Sequence, residues 1–424
     1  MGCSKCTSGS VCQACDEGYI FLSDSQICLN LEEEEKKSQK IFAAVFEGTF
    51  LASAALSSGS SLPFSFALVA KVLRNMKYLD VTVSTDLTET FYTWKVNDGF
   101  LNAPKSWSEK SESKALPTVF SRYGLDPVFL INFWKPLVLS LAGLVVFVVF
   151  KLTEMIIRKK KKGVLNKISR HISIAASNFA LTLFYCNFDD VILYLTIEFR
   201  STKFDNGFRI VSSVLAVVLL ILGAFFMCLH LMFVREYQRL KNAQQLLEIF
   251  KGRRENIKLI FKDFKETTFF KQSFLFTILC RSLISSIIFA TLFDYPVLQT
   301  TLLLILNIAM VVLQLTRNPF KETFNRWGEF FAEIVLVIAV SIMFVLSMLD
   351  YADSHPTNGI KKLSKCIIIL NAVLLLGCSA IMVFSLGKAF YESYSKRHQL
   401  SRVSALPDQS LATQPVNNMI SFAN

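Results

Sequence analysis

Residues 271–333 have the sequence KQSFLFTILCRSLISSIIFATLFDYPVLQTTLLLILNIAMVVLQLTRNPFKETFNRWGEFFAE, and this stretch decides the fold. It contains two apolar runs, each close to the ~20 residues that one helix needs to cross the hydrocarbon of a bilayer. Only Asp294, Tyr295 and Pro296 separate the runs, so the sequence predicts a tight antiparallel hairpin with its tip at one membrane face. The polar segment RNPFKETFNRWG, residues 317–328, then turns the chain into a further span at the other face.

The rest of the chain is apolar as well. It has 424 residues, of which 52% are hydrophobic and 39 are Phe, and its mean hydropathy is +0.43. A soluble domain does not need this much apolar surface. Long apolar runs lie near residues 128–151, 172–197, 210–234, 272–293, 297–316, 329–349 and 364–387. We therefore predict an all-α polytopic membrane protein, a bundle of seven spans embedded in a lipid bilayer.

The net charge of +12 comes from Lys and Arg that gather beside the apolar runs. Connections on one side, including 151–171 and 235–271, hold most of them, whereas the tip at 294–296 holds none. By the positive-inside rule, the basic connections and the C-terminus are cytosolic and the N-terminus is extracytosolic. The placement favours a plasma-membrane or endomembrane protein with anionic inner-leaflet lipids as partners, and it gives no reason to expect nucleic acid. The basic residues that follow the first span are Arg158, Lys159, Lys160, Lys161 and Lys162.

Five of the ten cysteines lie in the first 28 residues. A segment this short needs cross-links to fold, and an extracytosolic position favours disulfides. Zinc is the alternative, but the gap between the two CxxC pairs is shorter than in a zinc ribbon and no His lies nearby. An odd number of cysteines leads us to expect that an array of such modules is truncated here. The cysteines concerned are Cys3, Cys6, Cys12, Cys15 and Cys28.

The predicted domains follow from these patterns. Residues 1–30 form the small disulfide-rich module, and residues 31–125 form an extracytosolic linker with short membrane-associated helices. Within the linker, residues 41–77 are apolar but are broken near Gly59 and Pro63, so whether they enter the membrane stays open. Residues 126–390 form the seven-span domain, and residues 391–424 form a disordered cytosolic tail.

Arg281 is the clearest ionisable residue inside a predicted span, where a charge commonly costs a few kcal/mol. It lies roughly 15 Å along its helix from Lys271 at 1.5 Å per residue. Glu329 and Glu333 enter the sixth span from the same face. We expect Arg281 to pair with Glu333 or Glu329 and to tie the fourth and sixth spans together; the alternative is that it extends to the inner head groups.

Other polar residues interrupt the spans. Asp189 and Asp190 lie in the second span, where they could line an ion path, coordinate a cation, or pair with a polar neighbour. Gln299 is interpreted as a hydrogen-bonding residue between helices. The sequence contains no HExxH, no Gly-rich phosphate loop and no GxSxG, and its four histidines are dispersed. We therefore predict neither catalytic activity, nor a cofactor, nor a metal site.

The order and spacing of several motifs resemble the TRP-like transmembrane family of fungal flavin-carrier-type and ciliate cysteine-rich membrane proteins. The matching motifs are LEIFKG at 247–252, Arg281, YPVLQ at 295–299, and NPF at 318–320 followed by Glu329 and Glu333. The chain departs from the family at Asn318, where we expect Arg or Lys before the proline. The N-terminal cysteines resemble one growth-factor-receptor or furin-like repeat, and that resemblance implies a Cys15–Cys28 pair.

The family resemblance implies an ion channel or transporter, with ions as candidate passengers and a homo-oligomer as a candidate assembly. A TRP-type pore needs a re-entrant helix and filter before the last span, and residues 350–362 are too few for both. The alternative function is that of a cell-surface receptor or adhesion protein, whose work lies in an upstream cysteine-rich array anchored by the bundle.

Overall fold

The structure, a computed structural model, begins with four short strands in two antiparallel hairpins. Strand β1 (Cys3–Ser8) pairs with β2 (Val11–Cys15), and β3 (Tyr19–Leu22) pairs with β4 (Ile27–Asn30). The side chains of these strands, and with them the predicted disulfides, lie outside the described residues. The residues that the structure describes are 3–8, 11–15, 19–22, 27–30, 33–56, 60–93, 103–104, 107, 116–160, 163–201, 207–353 and 357–404.

In the described residues before the first span, the longer helices are α1 (Glu33–Leu56), α2 (Leu62–Asn75) and α3 (Thr85–Thr93), and single helical turns lie at Met76–Tyr78 and Thr118–Ser121. Seven later helices are long and apolar enough to cross a membrane, and they confirm the prediction of a seven-span α-helical membrane protein. A shorter helix, α7 (Gln244–Arg253), lies between the third and fourth spans. In the described part of the chain, the seven spans are α4 (Phe129–Lys160), α5 (Val164–Ser201), α6 (Gly207–Leu240), α8 (Phe274–Thr291), α9 (Pro296–Arg317), α10 (Thr323–Tyr351) and α11 (Thr357–Ser404).

The predicted hairpin between the fourth and fifth spans is present. Helix α8 ends at Thr291, and α9 begins at Pro296, where a proline fits because the first helical turn needs no amide donor. At its other end, α9 is closed by Asn318 in the left-handed conformation, with φ 43°. Asparagine tolerates this conformation far better than most side chains, which explains its place before Pro319.

The outer surface of the bundle is apolar. Val145, Ile221 and Ile305, on three different spans, are each about 60% exposed. Helix α4 is the most peripheral span, because it packs mainly against α5 and leaves the rest of its surface open. An apolar surface of this extent is what the hydrocarbon of a bilayer covers.

Helix α2 lies inside the bundle, among α5, α8, α10 and α11. Phe64, Phe66, Leu68 and Val69 are all fully buried. Residues 62–75 therefore lie within the bundle, packed against the spans.

The ends of the α2 segment mark the two ends of the bundle. Before α2, Ser60 and Ser61 bind Asp263, which belongs to the connection between the third and fourth spans. After α2, Thr82 donates a hydrogen bond of 2.5 Å to Asp350, at the last turn of α10. The chain therefore crosses the bundle between Ser61 and Thr82. We call the end that holds Asp263 the basic end and the end that holds Asp350 the opposite end.

At the opposite end, part of the predicted linker is buried rather than exposed. Tyr78 packs against Phe120 and Tyr123, and Phe120 packs edge-on against Phe293, the last residue before the hairpin tip. These rings are at most 5% exposed. They form an aromatic cap at this end of the bundle.

At the basic end, the segment after α6 folds under the bundle. Tyr237, Phe250 and Phe261 form a separate aromatic cluster there. Glu266 accepts a hydrogen bond of 2.7 Å from Lys321. Burial opposes ionisation of Glu266, but Lys321 outweighs burial and holds the pKa of this carboxyl below its ordinary value.

The C-terminal segment differs from its prediction in part. Helix α11 continues to Ser404, past the predicted start of a disordered tail at Tyr391. The helix continues because neither proline nor glycine occurs between Gly387 and Pro407 to end it. The remaining residues, 405–424, lie outside the described residues.

Candidate functional site: a charged cluster inside the bundle

Lys71, in the third turn of α2, is the first member of a charged cluster. Its ammonium donates to the carbonyl oxygen of Cys186, to Oδ1 of Asp189 at 3.1 Å and to Oδ2 of Asp190 at 2.5 Å. The side chain of Lys71 is only 13% exposed. Because α2 lies inside the bundle, this lysine cannot reach a head group and finds its partners on α5 instead.

Asp189 and Asp190 are 2% and 3% exposed. They lie about 18 Å from the end of α5 at Ser201, which is roughly half the thickness of a bilayer core. Asp189 also accepts a hydrogen bond of 2.9 Å from the Ser282 hydroxyl of α8. Of the roles that the sequence allowed, pairing with a polar neighbour is the one that the geometry supports directly, and this pairing joins α2, α5 and α8.

Arg281, the residue before Ser282, pairs with Glu333 of α10. Its Nη1 lies 2.5 Å from Oε1 and from Oε2 of Glu333, and both side chains are 1% exposed. The pair therefore ties the fourth span to the sixth, as we expected. Among the described residues, Nε and Nη2 of Arg281 find no hydrogen-bond partner, so the guanidinium uses one edge only.

Glu329, the other predicted partner, lies one turn before Glu333 and is fully buried. Within the described part of the chain, neither of its carboxyl oxygens makes a hydrogen bond. The Ser65 hydroxyl of α2 faces it without completing a hydrogen bond of ordinary geometry. We define the charged cluster as Lys71, Asp189, Asp190, Arg281, Glu329 and Glu333.

Gln299 is placed outside this cluster, near the hairpin tip. Its Nε2 donates to the carbonyl oxygens of Ile288 and Phe289 at 3.2 and 3.3 Å. Gln299 therefore bonds the fifth span to the fourth, which is the role that we expected of it.

The basic residues after the first span are described in part. Arg158 and Lys159 are exposed at the end of α4. The side chain of Lys160 and all of Lys161 and Lys162 lie outside the described residues, as do the side chains of the N-terminal cysteines. Contacts with lipid stay a prediction for all of them.

Two functional residues were missed in the sequence. Lys71 is the one cation in the apolar run 62–73, and that isolation was a usable signal. Asp263 gave no such signal, because it lies among lysines in a segment that the sequence treats as exposed. In the structure, Asp263 accepts a hydrogen bond of 2.6 Å from the backbone amide of Ser61, and it fixes the start of α2.

The charged cluster places four carboxyl groups and two cations inside the bundle. Its carboxyl groups come from α5 and α10, and its cations come from α2 and α8. Among the described residues, no group of three or more His, Cys, Asp and Glu side chains is placed to hold a metal ion. Comparison with protein-family models, with curated proteins and with solved structures finds no match to this chain.

Proposed function

We propose that this protein moves an ion across its membrane, as a transporter or channel of TRP-like type. The observation that carries the proposal is the charged cluster, six ionisable side chains inside the bundle that are each at most 13% exposed. Ionisable residues in a membrane cost several kcal/mol and commonly mark the paths of ions or protons. A bundle that served only as an anchor would be more stable with apolar residues at these positions.

The short connection between the last two spans favours a transporter over a pore channel. Helix α10 ends at Tyr351 and α11 begins at Thr357, so a pore helix and a filter do not fit between them. The element that does lie within the bundle is α2, whose Lys71 occupies the carboxylates of α5. A passage beside α2, opened at one end of the bundle at a time, is the route that we propose.

The test is transport by purified protein in lipid vesicles, with H⁺, Na⁺, K⁺ and Ca²⁺ offered in turn and lipid transfer measured in parallel. The informative variant is Lys71→Met with Asp189→Asn and Asp190→Asn, which removes the charges together and leaves none of the three unpaired. We expect this variant to fold and to lose at least tenfold in flux. Native flux in the triple variant, or no flux of any ion in the native protein, would contradict the proposal.

A receptor or adhesion protein is the second candidate, and the N-terminal hairpins favour it. The register of β1 and β2 places Cys3 opposite Cys15 and Cys6 opposite Cys12. Facing residues of antiparallel strands have Cα atoms about 4.5–5.5 Å apart, within the range that a disulfide spans. Mass spectrometry of unreduced peptides separates these pairs from the Cys15–Cys28 pair that the repeat resemblance implies. A long cysteine-rich array in the full-length transcript would favour this second function.

The membrane orientation belongs to the same proposal. The basic end faces the cytosol, and Arg158 and Lys159 contact anionic lipids of the inner leaflet. The open surface of α4 is where a second copy of the chain would pack in a homo-oligomer. The membrane concerned is the plasma membrane or an endomembrane.

A further inference from the structure

Glu329 differs from the other carboxyl groups of the charged cluster because it has no counter-charge of its own. Lys71 binds both aspartates, and Arg281 uses its one bonded edge for Glu333. Glu329 is 0% exposed, and its oxygens find no hydrogen-bond partner among the described residues. A carboxylate without partners in such surroundings is one of the most costly states that a side chain can adopt.

The surroundings of Glu329 make the anion still less favourable. A methyl group built at the neighbouring Gly328 would lie 3.2–3.3 Å from Ile381, Leu62 and Phe66, so α2 and α11 pack closely and with apolar groups there. The α9 helix, which packs along α10, carries no ionisable residue before Arg317. The ionisable or hydroxyl groups that face Glu329 are Ser65 of α2, Arg281 of α8, Glu333 of α10, Cys378 of α11 and Asp263 of the basic end.

Carboxyl groups outnumber cations around Glu329. Arg281 is the cation whose charge acts on it, against Glu333 and the buried Asp263. Arg281 is already bound to Glu333, so one added positive charge at Glu329 removes part of the excess negative charge.

A proton fits this position and a metal cation does not. Hard metal ions take about six or more oxygen ligands, whereas the Glu333 carboxylate near Glu329 is bound to Arg281, and the Asp263 carboxylate is bound to Ser60 and Ser61. The Ser65 hydroxyl is then the one further oxygen that faces Glu329 among the groups named above. A proton needs no ligand shell. It converts the carboxylate into an acid whose O–H can donate to Ser65, and it removes the cost of the buried charge.

We propose that Glu329 is a proton-binding site, and that its proton is the one that couples to transport. The coupling part rests on the proposed function, and the binding part does not. When the acid ionises, its proton passes to water at the end of the bundle that is open, and the new carboxylate competes with Glu333 for Arg281. Because Ser65 lies on α2, loss of the proton also changes the contact between α2 and α10: the Ser65 hydroxyl then donates to the carboxylate instead of accepting from the acid.

The binding part is tested by infrared spectroscopy of the full chain in lipid nanodiscs at pH 7. The native protein should show the carbonyl stretch of a buried carboxylic acid, and Glu329→Gln should remove it. The control is Glu322→Gln, an exposed glutamate at the start of α10 that pairs with Lys388 and should leave the band unchanged. We expect Glu329→Gln to fold, since an amide resembles the protonated acid. Glu329→Leu is the second variant, which keeps the test decisive if the amide fails.

The coupling part is tested in vesicles with the same three proteins under an imposed pH gradient. We expect native protein and Glu322→Gln to carry gradient-driven flux, and Glu329→Gln to lose at least tenfold. Absence of the acid band from the native protein overturns the proton site, whatever the flux. If the band is present but neither the pH gradient nor Glu329→Gln alters the flux, the coupling part is overturned. A band in a protein that transports nothing overturns the proposed function and leaves the proton site in place.

Discussion

As a pair, Arg281 and Glu333 add little net stability to the protein. Each residue is nevertheless needed while the other is present. Removing two charges from water costs about as much as their attraction returns, so a buried pair is close to neutral against apolar residues of similar volume. Removing one partner is different, because the other charge stays buried alone. The effect is strong here, since both side chains are 1% exposed and one edge of the guanidinium is unbonded.

We predict from this asymmetry that Glu333→Leu and Arg281→Met each destabilise the protein by about 3–5 kcal/mol, whereas the double variant is close to native. The measurement is thermal unfolding in detergent, arranged as a double-mutant cycle. Glu322→Gln serves as the control, because its pair with Lys388 is exposed and contributes at most about 1 kcal/mol. Losses that simply add in the double variant would show that the two residues do not form a pair.

The same residues show what a sequence can reveal about such a site. The partner of Arg281 was predictable because both helices enter from the basic end, and the rise per residue fixes how deep each side chain lies. The partner of Asp189 was not, since Lys71 lies 118 residues earlier. Only the folded position of α2 brings the two together, and no local pattern encodes it.

At the level of elements, close helix packing depends on small residues. A methyl group built at Gly223 of α6 would lie 1.7 Å from the ring of Phe188 on α5, inside the space that the ring occupies. The third span can thus approach the second only because Gly223 lacks a side chain. Membrane helices commonly use small residues in this way, since packing replaces the hydrophobic effect inside a bilayer.

Gly223→Ala should therefore destabilise the bundle by about 1–3 kcal/mol, because Phe188 must leave its rotamer or the helices must separate. Gly387→Ala in α11 is the matched control. No atom lies within 4 Å of the added methyl group there, and alanine favours a helix by roughly 0.5–1 kcal/mol over glycine. Thermal midpoints of the two variants should move in opposite directions, and a fall of equal size in both would contradict the packing argument.

Helix α2 shows why the sequence predicted the spans but left residues 41–77 open. Each of the seven spans must satisfy the length rule alone, because its backbone and side chains meet hydrocarbon, and hydropathy therefore reveals it. Helix α2 packs among other helices and buries ten of its 14 residues, so the length rule does not apply to it. Its sequence was also compatible with a helix on the membrane surface.

At the level of the whole molecule, the charged cluster joins four helices. Helix α5 contributes the aspartates, α10 contributes the glutamates, and α2 and α8 contribute the cations that bind them. The start of α2 is held at the basic end by Asp263, and the chain after it is held at the opposite end by Asp350. A movement of α2 would therefore be transmitted to both ends, as the proposed transport requires.

The orientation of the bundle in the membrane sets whether the basic end or the opposite end faces the cytosol. This orientation can be measured directly. Tyr351 lies at the opposite end and is 82% exposed. We predict that Tyr351→Cys reacts with a membrane-impermeant maleimide in intact cells or outward-facing vesicles. Lys321→Cys, at the basic end, should react only after permeabilisation, because the proposed orientation places the clustered lysines and arginines of that end in the cytosol. The native protein is the control for background reaction of Cys228 and Cys366, which are exposed on the spans. The reverse pattern would place Asp263 and the start of α2 outside the cytosol, and it would reverse the side from which a proton reaches Glu329.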